Sequence, residues 1–140
     1  MLCLLILVPL WPQEDDPVAF VGLTLEELIS RFGIPKSVYA ARGLQEWQDD
    51  VVFVYDRGDF YIYKNRVWQA GLRAAMGIRT GDSRGLVSMV LDSIPGQSRP
   101  ETRGDSIFYI LNKVSWPLML RFDFDRTGLV QAIFIYRTDF

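Results

Sequence analysis

Histidine is absent from the chain, and cysteine occurs once, at Cys3. The first absence removes the commonest general base and the commonest metal ligand together. The second excludes a disulfide. Because Cys3 lies in the N-terminal apolar run, a processed chain would also hold no thiol for nucleophilic attack or a cysteine zinc site. Serines are present, but without histidine the usual triad cannot form. Charge of neither sign is in excess: 15 Lys and Arg against 17 Asp and Glu give a formal net charge of −2. No basic surplus exists to neutralise phosphates, so nucleic acid is not an expected partner. No glycine-rich phosphate loop follows an expected strand. The absences point away from an enzyme, and no cofactor or metal is expected.

What is there suits one packed domain. Apolar residues make up 49% of the chain and aromatic residues 14%, ample for a core. The chain opens on an apolar run, Met1–Leu10, followed by Trp11, Pro12 and Gln13. The run is short of the ~20 residues that a bilayer span needs. Residues 1–13 instead fit the apolar part of a secretion signal. No Lys or Arg precedes the run and no small-x-small site follows it, which fits a truncated signal. Export to the periplasm or cell envelope is the expectation, with membrane contact only through this segment if it stays uncleaved. A first core strand is the alternative, against which Pro9 and Pro12 weigh.

Residues 20–137 read as a single domain of two units with the same grammar, 20–74 and 78–137. The first opens on Gly22, and Thr24 with Glu27 forms a capping box. Leu25, Leu28, Ile29 and Phe32 then recur at helical spacing, and Gly33 and Pro35 stop the helix. The second opens on Gly81, with Ser83 as N-cap and Val87, Leu91 and Ile94 as the apolar stripe. Gly22 matches Gly81, Thr24 matches Ser83, Leu28 matches Val87, and Phe32 matches Leu91.

Strands follow each helix. They are expected near Val51–Tyr55, Phe60–Tyr63 and Val67–Leu72, then near Ile107–Leu111, Leu118–Phe124 and Leu129–Tyr136. Weaker strands are expected near Ser37–Ala41 and Ser98–Arg103. In the matching of the halves, Val52-Phe53 falls opposite Ile107-Phe108, and Trp68-Gln69-Ala70 opposite Val130-Gln131-Ala132. Leu118, Leu120, Phe122 and Phe124 alternate with Met119, Arg121, Asp123 and Asp125, so one sheet face is buried and the other wet. The expected fold class is α+β: one antiparallel sheet of six to eight strands with two helices packed on one face.

The other face is then free, and aromatic residues are candidates to line it. Tyr and Trp offer large contact area at low entropic cost and dominate interface hot spots. Tyr55, Tyr61, Tyr63 and Trp68 are the expected contacts with a partner protein, with Arg121 nearby. These rings could instead help fill the core. A small-ligand or lipid carrier with a pocket between helices and sheet is the alternative function.

Three patterns imitate catalytic or metal sites. Asp123-x-Asp125-x-Thr127 resembles the nucleophile motif of haloacid-dehalogenase-type phosphatases, but that fold needs a long α/β stretch afterwards, and this sequence runs on only to Phe140. The same residues with Gly128 resemble the start of an EF-hand loop, yet Phe134 stands where the bidentate Glu belongs. Asp49 and Asp50, with Asp56 and Asp59, flank one strand as a carboxylate pair across a cleft would. Solvated strand ends and a Thr-Gly hairpin account for all three.

The segment Gly22-x-Thr24-x-x-Glu27-Leu28-x-x-x-x-Gly33-x-Pro35, followed by strands, resembles the helical opening of outer-membrane assembly lipoproteins of the SmpA/OmlA (BamE-like) type. Its duplication resembles the tandem-repeat fold of β-lactamase-inhibitor proteins. The resemblance implies an exported, non-catalytic fold that docks other proteins on its sheet. The chain lacks the lipoproteins' anchoring Cys at the start of the mature region.

Overall fold

The computed structural model describes residues 16–45, 49–96, 98–111 and 117–139. The apolar N-terminal run therefore lies outside the described residues. A short 3-10 turn, Pro17–Ala19, leads to helix α1, Leu25–Phe32. Strands β1 Ser37–Ala41, β2 Asp50–Tyr55, β3 Gly58–Tyr63 and β4 Arg66–Leu72 follow. A two-residue hairpin, β5 Ala74–Ala75 and β6 Ile78–Arg79, leads to α2, Arg84–Asp92. The chain ends in β7 Glu101–Arg103, β8 Ser106–Leu111, β9 Leu118–Phe124 and β10 Val130–Arg137.

Eight strands form one antiparallel sheet in the order β1-β2-β3-β4-β10-β9-β8-β7. Each set of four is a meander of neighbours, which short turns favour. The β3–β4 turn puts Lys64 and Asn65 at φ 47° and 62°, the left-handed pair that a two-residue hairpin requires. The two meanders join through β4 and β10, with Leu72 opposite Ile133 and Ala70 opposite Ile135.

Both helices are held at their starts in the same manner. The Thr24 side chain accepts from the Glu27 N–H at 3.2 Å, while the Thr24 N–H donates to Glu27 Oε2 at 2.7 Å. The Ser83 hydroxyl accepts from the Leu86 N–H at 3.2 Å. Ahead of the caps, Gly22 and Gly81 have φ of 94° and 93°, a region that side chains with a Cβ rarely occupy. The Gly22 N–H donates to the Val67 carbonyl at 2.7 Å and the Gly81 N–H to the Val130 carbonyl at 2.8 Å. Each helix is thereby tied to the last strand of its own meander.

Val67 faces Ile62 and Val130 faces Phe124, and a bulge follows each. Phe53 faces Phe60, and Ile107 faces Phe122.

Leu28 of α1 and Val87 and Leu91 of α2 share one buried cluster with Phe60, Leu120, Phe122 and Ile135 of the sheet. Each such side chain contributes about 1.5–3 kcal/mol when fully buried. Under the end of α1, Phe20, Phe32, Tyr55 and Phe60 form ring contacts with centroids 5.6–5.8 Å apart. These rings occupy the space between α1 and the sheet.

Candidate interaction surface

The face of the sheet turned away from the core cluster carries the side chains that the cluster leaves out. On the first meander they are Tyr39, Val52, Tyr61 and Gln69 in one row, since Tyr39 faces Val52, Val52 faces Tyr61 and Tyr61 faces Gln69. The bulge at β4 turns Trp68 to the side of Gln69. Across the seam the row continues through Tyr136 and Met119. A second row runs Gly71, Phe134, Arg121, Phe108 and Glu101.

The first-meander part is a linked polar and aromatic group. Burial, with the neighbouring Tyr39 hydroxyl second, pushes the Tyr61 hydroxyl up to about 12. Val52 lies between the two tyrosines in the register and is 0% exposed, so their rings roof it. The Trp68 side chain lies beside the Asp50 carboxylate. Burial raises the pKa of Asp50, the Trp68 side chain lowers it, and the neighbouring Asp49 raises it. Tyr63 follows Tyr61 by two residues and stands at the hairpin end, with the Lys64 ammonium 5.3 Å from its ring centroid.

The second-meander part is built from guanidinium groups lying on rings. Arg121 stacks on Phe134 at 4.7 Å and pairs with Asp123 at 3.0 Å. Arg103 stacks on Phe108 at 5.1 Å and is held by Glu101 through two contacts of 2.8 Å. Ser106 donates to Asp123 at 2.6 Å. A guanidinium fixed on a ring and by a carboxylate keeps little conformational freedom to lose on association.

Of the residues expected at a partner surface, Tyr61, Trp68 and Arg121 lie half-buried on this face, and Tyr63 stands at its rim. Tyr55 does not belong there. It is 6% exposed among Phe32 and Phe60, and its hydroxyl donates to the Gly33 carbonyl at 2.9 Å. Phe53 is on the same buried side. The sequence did not mark Tyr39, Phe108, Phe134 or Tyr136. Their signal is the alternation within β1, β8 and β10, usable once the buried side is known.

The carboxylates that imitate catalytic motifs are engaged structurally. Asp125 accepts from the Thr127 N–H at 2.8 Å, the Thr127 hydroxyl at 2.6 Å and the Leu129 N–H at 3.1 Å. The Thr127 bond leads the causes that hold its pKa down. Asp56 pairs with Lys36, and Asp59 with Arg73 at 3.4 Å. Among the described residues no group of three or more His, Cys, Asp or Glu could hold a metal ion.

No family model matches the chain, and none of the curated proteins matches it. Among solved structures it is similar to an extracellular protein containing a SCP domain from Bacillus anthracis str. Ames, at 14% identity and a TM-score of 0.56. The similarity covers 92% of this chain and 48% of that one, so the chain spans about half that protein's length. The likeness is one of fold: α+β, with a large antiparallel sheet.

Proposed function

We propose that the chain is an exported, non-catalytic module that docks another protein on the sheet face opposite its helices. The observation that carries the proposal is the fixed set of rings and guanidinium groups on that face. Tyr61 and Trp68 lie half-buried on that face, and Arg121 and Arg103 lie on aromatic rings. Aromatic and arginine side chains held rigid are what interface hot spots are made of. Export is supported by the apolar opening run and by the extracellular protein of similar fold. That protein is about twice as long, which fits a module placed beside other domains in the cell envelope. Under the end of α1 aromatic rings fill the helix–sheet space, which favours docking over a lipid pocket there.

The module is further proposed to descend from a duplicated helix-then-strands unit, as in the tandem-repeat and BamE-like folds. The paired caps at Thr24 and Ser83 support this, as do the paired glycines at Gly22 and Gly81 and the paired bulges after Val67 and Val130.

The test places a photo-crosslinking amino acid at Tyr61 or Trp68 in the exported chain, with exposed Met89 on α2 as the control. A protein adduct from the sheet positions, absent from Met89, is the expected result. Adducts of equal yield from all three positions, or adducts to lipid alone, reject the docking face.

A further inference from the structure

The two outer edges of the sheet are treated differently by the sequence. Edge strands expose unpaired N–H and C=O groups that can template another strand, and proteins blunt them with charge or brevity. At β7 both devices are present: the strand is three residues long, and Glu101 and Arg103 form an ion pair along it. At β1 neither is. Its five residues, Ser37 to Ala41, carry no charge and are almost all exposed, with Val38 at 53% and Tyr39 at 44%. Ile34 and Leu44, just before and after it, are 89% and 97% exposed.

The core row behind this edge is unfinished. Val67 faces Ile62, Ile62 faces Val51, and Val51 faces Ala40. Exposure along that row rises from 1% at Val67 to 8% at Ile62 and 45% at Val51. The row ends on Ala40, whose methyl group leaves Val51 uncovered. Beside it, on the helix side, Leu25, Val51, Phe53 and Ile62 line an open hollow. A large apolar side chain arriving next to Ala40 would lean across it onto Val51, as same-face neighbours in adjacent strands do. At the end of the strand Arg42 is exposed and outside every ion pair among the described residues.

We infer that the β1 edge binds an extended segment of another protein, added antiparallel to β1, with a large apolar residue opposite Ala40 and a carboxylate opposite Arg42. The backbone of β1 supplies the hydrogen bonds, and the alternate side chains supply selectivity. A second copy of this chain fits poorly. Antiparallel pairing of two β1 strands about Tyr39 would set Lys36 of each copy opposite Arg42 of the other, and like charges directly opposite are destabilising. The edge meets the aromatic face at Tyr39, but Val38 and Ala40 point to the other side of the strand, so either surface can fail without the other.

The experiment pans random peptides displayed on phage against the full chain, with a Val38→Lys/Ala40→Lys variant for counter-selection. Both positions are on the exposed edge, and an unchanged circular dichroism spectrum establishes that the variant folds. The expected peptides carry an acidic residue followed by apolar residues at alternate positions. Resynthesis with alternate backbone N-methyl groups, which leaves the protein untouched, should weaken binding roughly tenfold by removing strand hydrogen bonds. Arg42→Glu should weaken the same peptides and favour versions with lysine in place of the acid. The inference is overturned by no enrichment over the variant or by binding indifferent to N-methylation. It is also overturned by a sedimenting dimer in which a second copy protects the amides of Ser37 to Ala41.

Discussion

Phe134 lies over Gly71, its partner across the β4–β10 seam, with Cε1 3.3 Å from the point a Cβ on Gly71 would occupy. The Arg121 guanidinium packs on the same ring. A glycine inside a strand leaves bare backbone with no side chain to pack, and a ring laid across it restores the covering. On the other side of the sheet Gly58 is more constrained, because a Cβ there would stand 2.4 Å from the Gly71 carbonyl oxygen.

The two glycines should therefore respond differently to alanine. Gly71→Ala asks a half-buried ring to tilt and should cost about 1 kcal/mol or less. Gly58→Ala must displace the backbone of β4 and should cost about 3 kcal/mol. Urea denaturation of both variants checks this, and equal midpoints would mean that the β3–β4 pairing at Gly58 is looser than described.

Tyr55 and Tyr61 separate core from surface. Tyr55→Ala empties the ring cluster under α1 and should cost about 3–5 kcal/mol. Tyr55→Phe loses only the bond to the Gly33 carbonyl, about 1 kcal/mol. Tyr61→Ala uncovers Val52 on one side and should cost less than Tyr55→Ala, leaving a folded chain. Thermal melts of the three variants give the order directly.

The caps should be worth similar amounts. Thr24→Ala and Ser83→Ala should each destabilise by about 1 kcal/mol. They sit on different helices and share no partner, so the double variant should show the sum. A double variant no worse than either single one would contradict two independently capped helices.

Two groups on the aromatic face set pH responses of known sign. Tyr61, raised to about 12, should ionise only in strong base, and that late phenolate absorbance step should vanish in Tyr61→Phe. Asp50 is raised above its ordinary 3.8. Its contribution to stability is thus complete below the unfolded-state value and lost as pH rises through the folded-state one. Asp50→Asn should therefore be more stable than the native chain at neutral pH. That gap should close in acid, which denaturation at several pH values would reveal.

Much of this architecture is legible in the residues themselves. The Thr24 and Glu27 box and the strict alternation of Leu118 through Phe124 are local patterns, and the structure realises both. The β5–β6 hairpin is not legible, because strands of two residues have no period to detect. The side taken by Tyr55 was misread for a related reason. Alternation says that Phe53 and Tyr55 agree with each other and disagree with Val52, but not which set meets the helices. The bulges after Val67 and Val130 each add a residue that breaks the two-residue period within its strand.

The seam between β4 and β10 has a consequence for how the chain reaches this form. Among the described residues it is the strand pairing that unites the first meander with the second, and its partners, such as Leu72 and Ile133, are far apart in sequence. Neighbouring strands can zip early, while this closure waits on diffusion of one assembled half toward the other. At high concentration a different molecule can supply that half, rebuilding the same register from exchanged pieces. Refolding from dense solution should therefore produce intertwined dimers that revert slowly on dilution.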